Sequence, residues 1–239
     1  MASLDTTTQA RLRQVRARIE GAARAAGRDP REVTLLAVSK TFGAERVRQA
    51  LAEGQTRFGE NYLQEAVAKM AEVAAAEPGR SVEWHFIGPI QSNKTRELAE
   101  RFDWVQTVDR LKVAQRLSQQ RPADRPSLNV LLQVNISGEA SKHGVAPQEL
   151  DGLAREVARL ARLKLRGLMA IPEPTADPAR QHAAFARMRQ LFEQLRGGPA
   201  GAGLDLDTLS IGMSDDLEAA IAEGSTMVRV GTAIFGARS

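Results

Sequence analysis

A single TIM-type (β/α)8 barrel preceded by one extra helix is the α/β fold that this sequence predicts, and three observations predict it. Short β-rich runs alternate with longer Ala-, Leu-, Glu- and Arg-rich stretches, the pattern of right-handed βαβ crossovers and a parallel sheet. Eight such pairs can be counted along the chain. The 239 residues lie near the roughly 250 of a typical closed barrel, and a hydrophobic fraction of 43% suffices for one sizeable core.

The first helix, about 6 to 26, is marked by Leu12, Val15, Ile19 and Ala22 or Ala23 at helical spacing. That spacing leaves the arginines of Arg11-Leu-Arg-Gln-Val-Arg-Ala-Arg18 on the other face. The barrel occupies about 33 to 236, and its first strand, 33 to 39, is the apolar run Val33-Thr-Leu-Leu-Ala-Val-Ser39, read as buried on both faces. A helix at 44 to 53 leads to a short strand at 57 to 59, and a helix at 61 to 76 leads to the strand 84 to 88. There His85 alternates with Trp84 and Phe86, the pattern of a packed, hydrogen-bonded histidine. Helix 92 to 100, strand 104 to 107, helix 110 to 120 and strand 128 to 135 continue the alternation. Helix 147 to 160, strand 164 to 169, helix 178 to 196, strand 207 to 211, helix 215 to 223 and strand 227 to 230 complete it. Only nine residues follow Val230, so the eighth helix must be short or come from elsewhere. The joints Arg121-Pro-Ala-Asp-Arg-Pro126, Pro172-Glu-Pro174 and Gly197-Gly-Pro-Ala-Gly-Ala-Gly203 bring no shift in composition, so one domain is expected.

Composition excludes several chemistries. There is no cysteine, hence no disulfide framework and no thiolate, and His85, His143 and His182 have no ligand-like spacing, so no metal site is expected. The start of the chain has no basic segment followed by an apolar one, and no apolar run approaches membrane-spanning length; the expected location is the cytoplasm. A charge of +4 raises the question of nucleic acid. The 33 basic residues are nevertheless mostly arginine, spread along the chain and matched by 29 acidic ones, and 4% aromatic residues are too few for a base-stacking platform.

In a closed βα barrel the active site lies at the C-terminal ends of the strands, and polar residues collect there. Lys40 follows the first strand, Glu60-Asn61 the second, Gly88-Pro-Ile-Gln-Ser-Asn-Lys94 the third, Asn135-Ile-Ser-Gly138 the fifth, Ser214 the seventh and Arg229 to Thr232 the eighth. Lys164 enters from the opposite end and Lys69 and Lys112 fall inside helices, which leaves Lys40, Lys94 and Lys142 near the functional face. A lysine at a strand end can serve as a Schiff-base amine, or it can be a solvated loop residue. Ser210-Ile-Gly-Met-Ser-Asp-Asp216 sets Ser214 at a helix start, where a hydroxyl caps free amides that can also bind an anion. Asp215 and Asp216 suit such a first turn but must point away from a phosphate. Gly231 and Thr232 end the last strand, and a glycine there lets a ligand approach backbone amides. Gln91-Ser-Asn-Lys94 either contacts the ligand or caps the next helix, and Met169 and Met213 read as core or pocket wall.

A strand-end lysine, a phosphate cradle and an arginine in the last strand match the aldehyde, phosphate and ring nitrogen of pyridoxal 5'-phosphate. The segments Leu36-Ala-Val-Ser-Lys-Thr41, Phe58-Gly-Glu-Asn-Tyr62 and Trp84-His-Phe-Ile-Gly-Pro-Ile-Gln-Ser-Asn-Lys94 resemble the pyridoxal phosphate homeostasis protein family. So do Leu209-Ser-Ile-Gly-Met-Ser-Asp-Asp-Leu-Glu218 and Met227-Val-Arg-Val-Gly-Thr-Ala-Ile-Phe-Gly236. That resemblance runs in order from about Leu35 to Arg238. It implies Lys40 as the lysine holding the cofactor as an internal aldimine and Arg229 as the arginine facing the pyridine nitrogen. It further implies Ser214, Gly231 and Thr232 as phosphate-binding positions, Asn61 as a polar neighbour, and a fold like the N-terminal domain of alanine racemase. Thr41-Phe-Gly43 departs from the family's frequent Thr-Lys-Pro, so a second lysine is missing, although Lys142 offers another amine. The implied function is storage, buffering and delivery of pyridoxal phosphate with little or no turnover, by a cytoplasmic monomer whose recipients are apo-enzymes. An amino-acid racemase, an aldolase-like barrel using Lys40 on a sugar phosphate, and an RNA-binding module are the rival readings.

Overall fold

The computed structural model describes residues 7–137 and 143–237. Eight parallel strands close into a barrel in sequence order: β1 (Thr34–Val38), β2 (Arg57–Glu60), β3 (Glu83–Phe86), β4 (Trp104–Val108), β5 (Leu128–Gln133), β6 (Leu163–Met169), β7 (Thr208–Ser210) and β8 (Met227–Val230). The barrel shuts where β1 pairs with β8, with Ala37 opposite Val230. All eight predicted strands are present, because strands buried on both faces write themselves as apolar runs; Leu36, Ala37 and Val38 are all buried. The helices are α1 (Thr8–Ala25), α2 (Ala44–Ala52), α3 (Leu63–Ala76), α4 (Thr95–Arg101), α5 (Leu111–Gln120), α6 (Leu150–Ala158), α7 (Pro178–Gly197), α8 (Leu217–Ala222) and α9 (Thr232–Phe235).

The missing eighth helix has a double answer. Among the described residues the single turn α9 is the one helix after β8, and α1 packs against α2, α8 and α9, so the N-terminal helix takes the remaining place in the outer ring. Leu12, Val15, Ile19 and Ala23 form its buried stripe, as the periodicity requires. Its arginines are not merely solvated: Arg16 Nη1 donates to Glu53 O at 2.9 Å, and Arg18 Nη2 donates to Ser214 O at 2.9 Å while its Nε pairs with Glu218.

Several helix starts shift from the predicted positions. α3 begins at Leu63 rather than 61, because Tyr62 is still extended as its N-cap residue. The stretches 92–94 and 147–149 are tighter 3₁₀ turns that precede α4 and α6. α8 begins at Leu217 rather than 215, since Asp216 is its N-cap residue.

Strand periodicity sorts the side chains into two sets. Leu36, Val38, Ile87 and Met227 form one small cluster, and Trp104, Leu131 and Met169 another, inside the barrel and separate from the large core between sheet and helices. Met169 is thus a core residue. The same parity that points Leu36 and Val38 inward sends Lys40 toward the mouth.

Candidate functional site

The turn that carries Lys40 starts one residue past β1. Phe42 N–H closes it on Ser39 O at 3.1 Å, and Thr41 sits at φ 69°. A left-handed residue with a branched Cβ costs of order 1–2 kcal/mol, so neighbours have to hold it. Three side chains do. Glu65 Oε1 accepts from Thr41 N–H at 2.6 Å, Lys69 Nζ donates to Ser39 O at 2.7 Å, and Ser39 Oγ donates to Glu60 Oε1 at 2.6 Å. Lys69 Nζ ties the group together through Glu60 at 2.6 Å and Glu65 at 2.9 Å. The backbone on both sides of Lys40 is therefore fixed from behind by β2 and α3.

Two expectations are corrected by this cluster. Lys69 lies inside a helix, as expected, yet its ammonium is buried and serves the strand end directly. Glu60, expected just after the second strand, is instead the last residue of β2, where it points outward under α3, and only Asn61 keeps the inward parity. Burial pushes the Glu60 carboxyl up against the opposing pull of Lys69.

Arg229, on β8, is buried and its guanidinium is held from one side. Nη1 donates to Ser210 O at 2.7 Å and to Ser210 Oγ at 2.9 Å, and Nη2 donates to Ala170 O at 2.9 Å. Burial lowers its pKa to about 10, with Asp216 opposing the shift, so the group is still cationic near neutral pH. β1 and β8 are neighbours, with Leu36 opposite Arg229 and Ala37 opposite Val230, so the strand ends that lead into Lys40 and Gly231 open at the same mouth.

The loops after β7 and β8 meet there too. Thr232 Oγ1 donates to Ser214 Oγ at 3.2 Å, so the two predicted phosphate-loop hydroxyls are brought together. Ser214 is not the cap of α8, contrary to the sequence reading; Asp216 occupies that position and its Oδ1 accepts from Met213 N–H at 2.6 Å. Burial raises the Asp216 carboxyl, while Asp215 is exposed. At Gly231 a Cβ would come within 3.2 Å of Val38 O, so the end of β8 lies close against β1. Arg18 holds the Ser214 carbonyl from the outer ring.

The remaining predicted residues are divided. Asn61 Oδ1 is buried with no hydrogen-bond partner among the described residues. Lys94 ends the 92–94 turn and faces Glu97 at 3.7 Å, and no side chain of that turn caps α4. Phe42, where the family often has lysine, packs on Phe235 of α9 with ring centroids 5.2 Å apart. His85 is buried and hydrogen-bonded as expected. Lys142 falls outside the described residues. Among those described, no cluster of His, Asp and Glu could hold a metal ion, and no helix is long and apolar enough to cross a membrane.

Comparison with known proteins identifies the family. The family described as alanine racemase, N-terminal domain, matches residues 10–239. The pyridoxal phosphate homeostasis protein of Pseudomonas aeruginosa is 63% identical over 233 residues, covering 98% of this chain and 96% of that protein. Its counterpart in Escherichia coli K12 is 56% identical over 228 residues, covering 95% of each. The structure of PipY from Synechococcus elongatus with pyridoxal phosphate bound superimposes with a TM-score of 0.82 at 36% identity, covering 96% of this chain and 100% of that one. A likeness of this extent means that the chain belongs to the alanine racemase N-terminal domain family and, within it, to the pyridoxal phosphate homeostasis proteins.

Proposed function

We propose that the chain binds pyridoxal 5'-phosphate at the barrel mouth in the cytoplasm, and stores, buffers and delivers it with little or no turnover. The observation that carries this reading is the pairing of β1, which leads into Lys40, with β8, which carries Arg229 opposite Leu36 and leads into Gly231. The residues present suit the group: an amine for the aldehyde carbon, paired hydroxyls on Ser214 and Thr232 for phosphate, and the unpartnered Asn61 Oδ1 for a polar donor. When bound, the cofactor supplies an electron sink for carbanions. Arg229 limits that sink, because a cation facing the ring nitrogen disfavours its protonation. Two-base racemisation also needs an acid and a base on opposite faces, and Lys40 serves only one. Tyr62, the sole tyrosine, is 55% exposed at the start of α3.

The test is optical and kinetic. Purified protein is expected to show a visible band that borohydride bleaches, negligible racemase and transaminase turnover with common amino acids, and transfer of cofactor to an apo-enzyme. A colourless protein that holds a sugar phosphate instead would favour the aldolase reading. Robust racemase turnover lost in Lys40→Ala would make it an enzyme.

The cradle makes a separate ranking. Gly231→Val should weaken cofactor retention more than Ser214→Ala, since the first forces β8 off Val38 O whereas the second removes one hydrogen bond worth about 0.5–1.5 kcal/mol. Equal losses on dialysis would contradict the cradle.

A further inference from the structure

The barrel interior holds a line of buried polar side chains that the ligand site does not use directly. Ser210 Oγ donates to Gln106 Oε1 at 2.7 Å and accepts from Arg229 Nη1 at 2.9 Å. Gln106 Nε2 stands 2.9 Å from His85 Nδ1 and 3.1 Å from Met227 Sδ. His85 Nε2 lies 2.8 Å from Glu83 Oε1, which also accepts from Arg57 Nε at 3.0 Å. Glu83 and Arg57 begin their strands, so the line runs from beneath the mouth to the opposite end of the barrel.

Donor and acceptor chemistry gives this line one direction. An amide nitrogen only donates, so His85 Nδ1 must be bare and Nε2 must carry the proton that Glu83 accepts. Reversing the amide would turn the Gln106 oxygen onto the Met227 sulfur and leave a bare Nε2 facing a carboxylate. The electrostatics agree: burial pushes His85 down toward its neutral form. Burial alone would raise Glu83, but the His85 N–H and the Arg57 guanidinium outweigh it and hold it at about 2. Stacking on Trp104, 5.1 Å between centroids and 10° between planes, fixes the ring. The single hydroxyl proton of Ser210 is thereby directed to Gln106, leaving its lone pairs for Arg229. Three of the five N–H groups of Arg229 are then used, and among the described residues Nε–H and one Nη2–H remain for a ligand.

We propose that His85 and Gln106 are positioning residues for the cofactor-facing Arg229, acting through Ser210, with Glu83 at the far end setting the direction of the hydrogen bonds. This rests on the cofactor reading above, so one measurement is made without cofactor. In the unloaded protein, ¹⁵N spectra should show His85 with Nδ1 bare and Nε2 protonated, and Glu83→Leu, at a side chain 36% exposed, should give mixed tautomers. A protonated Nδ1 in the parent, or an unchanged tautomer in Glu83→Leu, overturns the proposal. In the loaded protein, Ser210→Ala and Gln106→Met should each speed cofactor release by about 3- to 10-fold, as loss of one hydrogen bond allows, and the double variant by no more than the larger single effect. The ring-nitrogen signal of ¹⁵N-labelled cofactor should move in the same direction in all three. Multiplying effects, or a lowered melting temperature with an unmoved ring signal, would reduce these residues to packing and sink the idea. A parent chain that takes up no cofactor would instead overturn the site reading itself, whatever the tautomer of His85.

Discussion

Lys40→Ala is expected to abolish covalent attachment of pyridoxal phosphate. The substitution leaves the barrel intact, because Lys40 is half-buried at a strand end and the turn is held by its neighbours' backbone groups. No other described lysine can replace it at the same place. Lys69 Nζ is buried behind the turn, Lys94 faces Glu97, and Lys164 pairs with Asp205 at 2.9 Å from the opposite end of the barrel. Intact-mass measurement after borohydride reduction gives the answer. A reduced adduct at full occupancy in the variant would move the attachment to Lys94 or Lys142 and remove the basis for the geometry assigned to β1 and β8.

The largest effect on stability is expected from Lys69→Met. It strands Glu60 in a site where that carboxyl is fully buried and already has one oxygen without a partner. Breaking a buried pair from one side costs about 3–5 kcal/mol, because a lone buried charge remains or must be neutralised. For a chain of this size the melting temperature should fall by on the order of 10 °C. Glu60→Met added to Lys69→Met should restore most of the loss, since both partners are then apolar. A Lys69→Met single variant that melts like the parent would show that the cluster contributes nothing net. Retained cofactor at normal occupancy in that variant would show that the Lys40 turn does not depend on it.

The parts of the molecule that could be read beforehand share a cause. Strands of a closed barrel are buried on both faces, so Leu36, Ala37 and Val38 announce β1 by composition alone, and a residue just beyond a strand is placed at the mouth by topology. The positions of Lys40, Gly231 and Thr232 just beyond their strands were legible for that reason, while the roles proposed for them and for Arg229 came from the family likeness. Lys69 was not, because a lysine within a helix ordinarily reaches water. A signal did exist: Leu63, Ala66, Lys69 and Val73 share the buried stripe of α3, and a charge within such a stripe needs a partner. Gln106 gave a similar hint as an amide within the wholly buried run Trp104-Val-Gln-Thr-Val108. Its partners are His85 on the neighbouring β3 and Ser210 on β7 across the barrel, and contacts between strands are invisible to local pattern. Ser214 is not the N-cap of α8 for a different reason: the helix starts two residues later than local pattern suggests, with Asp216 as its N-cap residue and the Asp216 carboxylate turned back to Met213 N–H in the preceding loop.

The pairing of β1 with β8 also governs when the site can come into being. It joins residues 34–37 to 227–230, the widest sequence separation of any strand pair in the sheet, so the entropy of closing the whole loop falls on this one contact. During synthesis β1 emerges well before β8, the strand with which it must pair. Until that seam closes, Lys40 lacks the proposed anion pocket beside it, and a barrel that has slipped there carries the two parts of the proposed site apart. At the proposed site, competence to hold the ligand arrives with closure of β8 onto β1, and binding there doubles as a report that this seam is paired.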